Sequence, residues 1–346
     1  MNRQKTVKAM KKTVLHTVMA IFGIMAFGAC EREIEFSSEE LQPKLVLQCF
    51  LESNEPVWLT LKKGRFFLSQ RDDISAAVNN AAVTVWKNDE LVETLRFYNY
   101  GKDSYYAGSF RPQIGDKITI KATANGFAPV ECSTVMPEAP VIPDVEYVDF
   151  IERVYSVSVI GDEYVIDSSY VTLLEKYNLT CRINDAANAN YYRAGAFIRT
   201  YSSNQSSYIT EDTVDYNVWI KSDDIVFGLS NSDFLDIEEE NPYHIFSDEL
   251  FNGKEYGLKF GFENNVSIPL GDISDDYVYH RVLKRECRVV IRSISQAYYL
   301  HVRSRQAAES EGIFSEPVQI YSNIQGGIGI LAASTKTEYV IPMSIK

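Results

Sequence analysis

From Lys44 onward, apolar and polar residues alternate in short stretches, and that period-two pattern confines the chain to a fold built of strands. Successive side chains of a strand point to opposite faces, so alternation buries one face and wets the other. Leu45 to Leu51, Val57 to Leu61, Ala82 to Trp86, Glu93 to Tyr98, Lys117 to Ala122 and Val130 to Val135 all carry the pattern, with turn residues between them. Their Val, Leu, Thr and aromatic content predicts a β-sandwich over 44–136. Pro137, Pro140 and Pro143 then remove strand donors and stiffen the chain, which predicts a linker at 137–143. Beyond it, 144–346 reads as a second, larger β-rich domain. Its expected strands are Tyr147 to Val159, Tyr164 to Val171, Tyr177 to Ile183, Tyr191 to Tyr201, Lys254 to Phe262, Cys287 to Ile294, Val318 to Tyr321 and Tyr339 to Ile345. One short helix interrupts them: Ser295 can cap a segment to about Ala308, with Tyr298, Tyr299 and Val302 on the sheet side and Arg303, Arg305 and Glu309 in solvent. Ser202 to Pro242 is polar, acidic and turn-rich, which predicts an insertion or mobile loop on the surface. The expected class is mainly β, with an immunoglobulin/transthyretin-like sandwich at the N-terminal end.

The N-terminus obeys a different logic. Arg3, Lys5, Lys8, Lys11 and Lys12 form a basic segment, Val14 to Phe27 an apolar one, and Phe27-Gly28-Ala29-Cys30 resembles a lipobox. This predicts a lipoprotein signal peptide at 1–29, lipidation at Cys30 and an acidic tether over 30–43. The apolar segment is too short and too interrupted to persist as a membrane span. Removing 1–29 takes five basic residues from a chain of formal charge −13. A protein that acidic repels nucleic acid and anionic lipid alike, so its membrane attachment would come from acyl chains. Glu31, Glu33 and Glu35 resemble the short signal that sends some Bacteroidota lipoproteins to the outer face of the outer membrane.

Cys49, Cys132, Cys181 and Cys287 lie in alternating apolar runs, which predicts buried free thiols. An exported chain also permits bridges, and Cys49 with Cys132 is the preferred pair. No CxxC pair occurs to support zinc.

Two resemblances add to this reading. Ala81-Ala82-Val83-Thr84-Val85, Tyr105-Tyr106-Ala107-Gly108, Ile114-Gly115-Asp116-Lys117-Ile118 and Asn125-Gly126-Phe127 resemble transthyretin-like or carboxypeptidase-regulatory-like modules. Further on, Asn184-Asp185-Ala186 leads to Asn190-Tyr191-Tyr192-Arg193. Next come Phe246-Ser247-Asp248-Glu249-Leu250-Phe251-Asn252-Gly253-Lys254 and Ile294-Ser295-Gln296-Ala297-Tyr298-Tyr299. Last are Phe314-Ser315-Glu316-Pro317-Val318 and Ser322-Asn323-Ile324-Gln325-Gly326-Gly327-Ile328-Gly329-Ile330. In that order these motifs resemble the Bacteroidota lipoprotein family called domain of unknown function 4249. The resemblance implies an outer-membrane lipoprotein, often encoded near a TonB-dependent transporter. Residue by residue the motifs read as architecture, because Asn-Asp and Asn-Gly pairs are turn formers and a glycine run followed by a short β-prone stretch is a close backbone approach, a bulge or a tight turn.

Chemistry leaves fewer marks. His244, His280 and His301 have no GxSxG context, and the paired carboxylates Asp223-Asp224, Asp275-Asp276 and Glu238 to Glu240 suit solvated charge in so acidic a chain. Asp272, Ser274 and Asp276 alternate as calcium ligands would, without the glycine and glutamate of an EF-hand. Tyr98, Tyr100, Tyr105 and Tyr106 cluster near turns and could stack on a sugar or peptide. No cofactor is implied. The expected function is non-enzymatic: a binding or accessory subunit at the outer membrane facing the exterior, partnered by a TonB-dependent β-barrel transporter in nutrient uptake. Two alternatives stay open, a fimbrial or adhesive subunit processed near Arg65, and a surface hydrolase using the acidic residues.

Overall fold

Leu45–Glu52 (β1) buries Leu45, Leu47, Cys49 and Leu51 and turns the residues between them the other way, as its alternation requires. It forms the middle of a nine-stranded sheet. The computed structural model describes residues 43–64, 77–160, 163–203, 211–228, 241–269, 281–309 and 318–343. Before the proline stretch lie Trp58–Lys63 (β2), Ala82–Lys87 (β3), Glu90–Thr94 (β4), Arg96–Tyr98 (β5), Tyr105–Ala107 (β6), Lys117–Thr123 (β7) and Val130–Val135 (β8). After it come Val145–Ile160 (β9), Glu163–Asn184 (β10), Tyr191–Ser203 (β11), Glu211–Val218 (β12), Ile220–Lys221 (β13), Ile245–Ser247 (β14), Glu255–Pro269 (β15) and Arg281–Ile294 (β16). The helix Gln296–Glu309 (α1) and Ile328–Met343 (β17) complete the series. The fold is mainly β, with a single α-helix among the described residues.

The large sheet runs β12-β11-β16-β17-β1-β2-β6-β5, with β14 beside β11. Two four-stranded sheets, β4-β3-β7-β8 and β13-β15-β10-β9, accompany it. Odd-numbered residues of β17 show how the layers stack. Leu331 and Ala333 join β1, β2, β3, β7 and β8 in one core, and Ile341 and Met343 join β10, β11, β15 and β16 in another. One face of the large sheet therefore covers both smaller sheets. On the opposite face Ile330 and Ala332 pack with Ile294, Tyr298 and Val302 of β16 and α1.

β1 and β17 pair in parallel, Val46 opposite Ile328 through Glu52 opposite Ser334. A sheet thus continues across the division expected at 137–143, and Pro43–Lys346 forms one compact unit. The proline stretch lies along β17, where Thr335 Oγ1 donates to Pro137 O and Thr337 Oγ1 to Pro140 O, each at 2.7 Å.

Several expected strands differ in extent. Glu93 to Tyr98 divides at buried Leu95: β4 belongs to one sheet and β5 to the other, so this residue is a corner between layers. Tyr164 to Val171 and Tyr177 to Ile183 are one strand, β10, with a register shift between Asp167 and Val171. Val318 to Tyr321 is not a strand, and the last strand begins at Ile328, well before Tyr339. The supposed insertion at 202–242 contains β12, β13 and a 3-10 turn at Ile225–Phe227. These differences concern where a strand starts and stops or whether one forms, which depends on its neighbours more than on its own pattern.

The glycine run before β17 is explained by crowding. Gly329 has φ +121°, and a Cβ there would meet Leu47 O at 1.9 Å; at Gly326, φ +75°, it would meet Pro129 O at 2.2 Å. Ser322 Oγ and the Asn323 amide hold the run in place through Gly329 N, Leu331 N and Leu331 O.

Candidate functional site

Among the described residues, α1 covers the large sheet around Ile294, Ile330 and Ala332, and exposed aromatics stand on the same side away from it. In β2, Leu59 and Leu61 point into the core, so Trp58, Thr60 and Lys62 point outward. β6 and β5 pair Tyr98 with Tyr105 and Phe97 with Tyr106. Alternation sends these pairs to opposite faces. Tyr98 and Tyr105 lie near-parallel on the open face, their ring centres 5.6 Å apart. Tyr100 adds a third near-parallel ring, 6.0 Å from Tyr105 with 4° between planes, and Trp58 meets Tyr105 edge-on at 6.4 Å. Trp58 is 50%, Tyr98 42% and Tyr100 68% exposed.

A tight turn holds Tyr100 there. Gly101 takes φ +64°, Asn99 Oδ1 accepts Gly101 N at 3.1 Å, and the Ser104 hydroxyl lies 2.8 Å from Gly101 O. Beside the rings runs a groove of about 870 Å³, edged by Phe50, Glu52, Glu55, Thr60, Lys62 and Asp103.

Three of the four expected tyrosines therefore come together, and the fourth does not. Tyr106 faces the core, donating to Val78 O at 2.7 Å and accepting from Ala81 N at 3.0 Å; burial raises its pKa. Adjacent residues of a strand cannot share a face, which is the correction to reading Tyr105 and Tyr106 as one cluster. Trp58 was missed. Its alternation with Leu59 and Leu61 was the available signal.

A second groove of about 490 Å³ crosses the same face over β11 and β16, with Trp219 on one side and Tyr298 on the other. Gly195 is part of its lining, and a Cβ on that residue would meet nothing within 4 Å. Arg193 is held by Tyr298 Oη at 2.9 Å and Tyr243 O at 3.2 Å. From Glu52, which lines both grooves, the outward residues form a chain of ion pairs along β16 and β17. Arg292 and Lys336 meet Glu52, Lys336 and Arg288 meet Glu338, and Arg288 and Lys284 meet Glu286. Burial would raise Glu338, but Arg288 and Lys336 bring its pKa below the usual carboxylate range; Lys284 does the same for Glu286. These carboxylates are held ionised, the opposite of what a general acid requires.

Other sequence candidates serve the architecture. His244 Nε2 lies 2.9 Å from Ile220 O and His301 Nδ1 2.8 Å from Tyr321 O. Burial lowers the pKa of His244, which keeps it neutral. Asp224 accepts from Tyr256 Oη at 2.5 Å and Lys259 N at 2.9 Å. Asp185 accepts from Tyr192 Oη at 2.5 Å and Gly253 N at 2.8 Å, and Asp248 accepts from Asn190 N at 2.8 Å, so two of the quoted motifs lock one another. Cys49, Cys132, Cys181 and Cys287 are free and buried, and the Cys49 to Cys132 bridge is not formed. Burial pushes Cys132, Cys181 and Cys287 up to about 12, and raises Cys49 with a further contribution from Cys132. Such thiols are poor nucleophiles. Among the described residues no three His, Cys, Asp or Glu side chains converge as metal ligands. Cys30, Arg65, Asp272, Ser274, Asp276, Asp275, His280 and Glu238 to Glu240 lie outside the described residues.

A family model described as Domain of unknown function (DUF4249) matches residues 31–340. No curated protein matches the chain.

Proposed function

We propose, of a chain that belongs to the family Domain of unknown function (DUF4249), that it is a non-enzymatic lipoprotein anchored through Cys30 at the outer membrane, where it binds a glycan on its open sheet face. The aromatic row of Trp58, Tyr98, Tyr100 and Tyr105 is the observation that carries this reading. A pyranose ring has a flat face of C–H groups and a rim of hydroxyls. Aromatic rings cover such a face while nearby carboxylates and hydroxyls accept from the rim, and Glu52, Glu55, Asp103 and Thr60 line the adjoining groove.

The non-enzymatic part is supported by the ionised, paired carboxylates of the open face and by histidines committed to backbone carbonyls. The placement at the membrane rests on the lipobox and acidic tether, and the expected partner is a TonB-dependent β-barrel transporter.

The purified protein, screened against a glycan array, is expected to retain a restricted set of glycans, and Trp58→Ala and Tyr105→Ala should each weaken retention at least about tenfold, the loss of one stacked ring. Binding unchanged in both variants would reject the aromatic row. Intact-mass measurement of the N-terminal peptide, expected to carry acyl chains on Cys30, tests the anchor separately.

A further inference from the structure

β9 closes its sheet on one side. In the order β13-β15-β10-β9, one edge of Val145–Ile160 pairs with β10, and among the described residues no strand meets the other. Proteins usually blunt so long an edge with proline, lysine or a covering element, because its unpaired backbone groups invite another strand. β9 contains neither proline nor lysine, and its charges are Glu146, Asp149, Glu152 and Arg153. Both of its faces reach solvent: Tyr147, Val148, Phe150, Val154 and Tyr155 are each 41 to 69% exposed.

The exposed stretch reads Tyr147-Val148-Asp149-Phe150-Ile151-Glu152-Arg153-Val154-Tyr155, and it complements its own reverse. Laid antiparallel about Ile151, Tyr147 faces Tyr155, Val148 faces Val154, Asp149 faces Arg153 and Phe150 faces Glu152, while Ile151 faces itself. Two antiparallel copies related by a twofold axis normal to the sheet place residues of equal parity opposite one another, so these pairs share a face as cross-strand neighbours must. The charges select this register. An axis at Glu152 sets two carboxylates opposite each other, and one at Phe150 leaves Asp149 opposite Ile151 and Arg153 opposite Tyr147; only the axis at Ile151 forms both Asp149 to Arg153 pairs.

We propose that β9 pairs antiparallel with β9 of a second copy of this chain, on a twofold axis at Ile151, joining two four-stranded sheets into one. The dimer does not depend on the glycan face, which belongs to the large sheet.

Disulfide trapping of the full-length protein in isolated membranes tests this, because the four described native cysteines are buried. Under mild oxidation Ile151→Cys should give a reducible band of twice the monomer mass. Val148→Cys should not, since its two copies stand six residues apart along the ladder, about 20 Å, beyond the reach of a disulfide. Adding Asp149→Arg to Ile151→Cys should cut the yield several-fold, and adding Arg153→Asp as well should restore it. Absence of the band for Ile151→Cys, equal yields at 148 and 151, trapping of a different protein, or indifference to the charge changes would each overturn the proposal.

Discussion

At the residue scale the structure is organised by polar side chains that tie one turn to another. Glu93 is an example. Its carboxylate accepts from Ser109 N at 2.9 Å, Phe110 N at 2.8 Å and the Ser109 hydroxyl at 3.0 Å. The space it occupies exists because residue 108 is glycine, where a Cβ would lie 2.2 Å from Glu93 Oε2. Burial alone would raise its pKa, but these donors outweigh burial and lower it. A carboxyl lowered on folding stabilises the protein above its unfolded pKa, and the contribution disappears as pH falls through the folded value. Thermal midpoints measured from neutrality downward should therefore fall more steeply below about pH 5 in the parent protein than in Glu93→Gln. Parallel curves would mean that the carboxylate charge is not what holds 108–110 in place. This contact joins residues sixteen or seventeen positions apart, and nothing in the local sequence of Glu93 announces it.

Elements obey local signals where those signals are complete. Ser295 begins α1 as its capping chemistry suggests, with Tyr298 N donating to Ser295 Oγ at 3.3 Å. The same hydroxyl lies 3.2 Å from Ala333 N, so the cap also fastens the helix to β17. Ser295→Ala should cost about 1 kcal/mol or somewhat more in urea denaturation, and Ser295→Thr should recover most of it. A loss within error of zero would show that α1 is held by Tyr298 and Val302 alone. Strands follow the same rule with less certainty about their ends. The alternation of β1, β3, β7 and β8 was legible almost to the residue. β17 was not, because Ile330, Leu331, Ala332 and Ala333 are buried on both faces and so show no alternation. A central strand loses the pattern that identifies an edge or half-covered one.

Among the described residues the two smaller sheets are held against the large one by apolar cores, and a buried ion pair ties one of them to it. Arg285 of β16 meets Glu175 of β10 with two contacts of 2.6 and 2.7 Å, and Asn264 of β15 adds a third to Glu175 at 2.8 Å. Burial would lower the pKa of Arg285, yet Glu175 outweighs it and the guanidinium stays charged. Glu175→Ala leaves that charge without its partner and should cost about 3–5 kcal/mol by chemical denaturation, whereas Glu175→Met with Arg285→Leu should come close to the parent. If the single variant is as stable as the double, the pair is not what joins these sheets. The sequence by itself determined the β class, the helix with its cap and the alternation of the first strands, because period and turn chemistry are local properties. Only the tertiary structure decided that β1 pairs with β17, that one sheet spans both halves of the chain, and that Trp58 meets Tyr98, Tyr100 and Tyr105. Alternation says which face of a strand is buried, but hydrogen-bonding edges are alike in every strand, so the choice of neighbour is left to the packing of the whole.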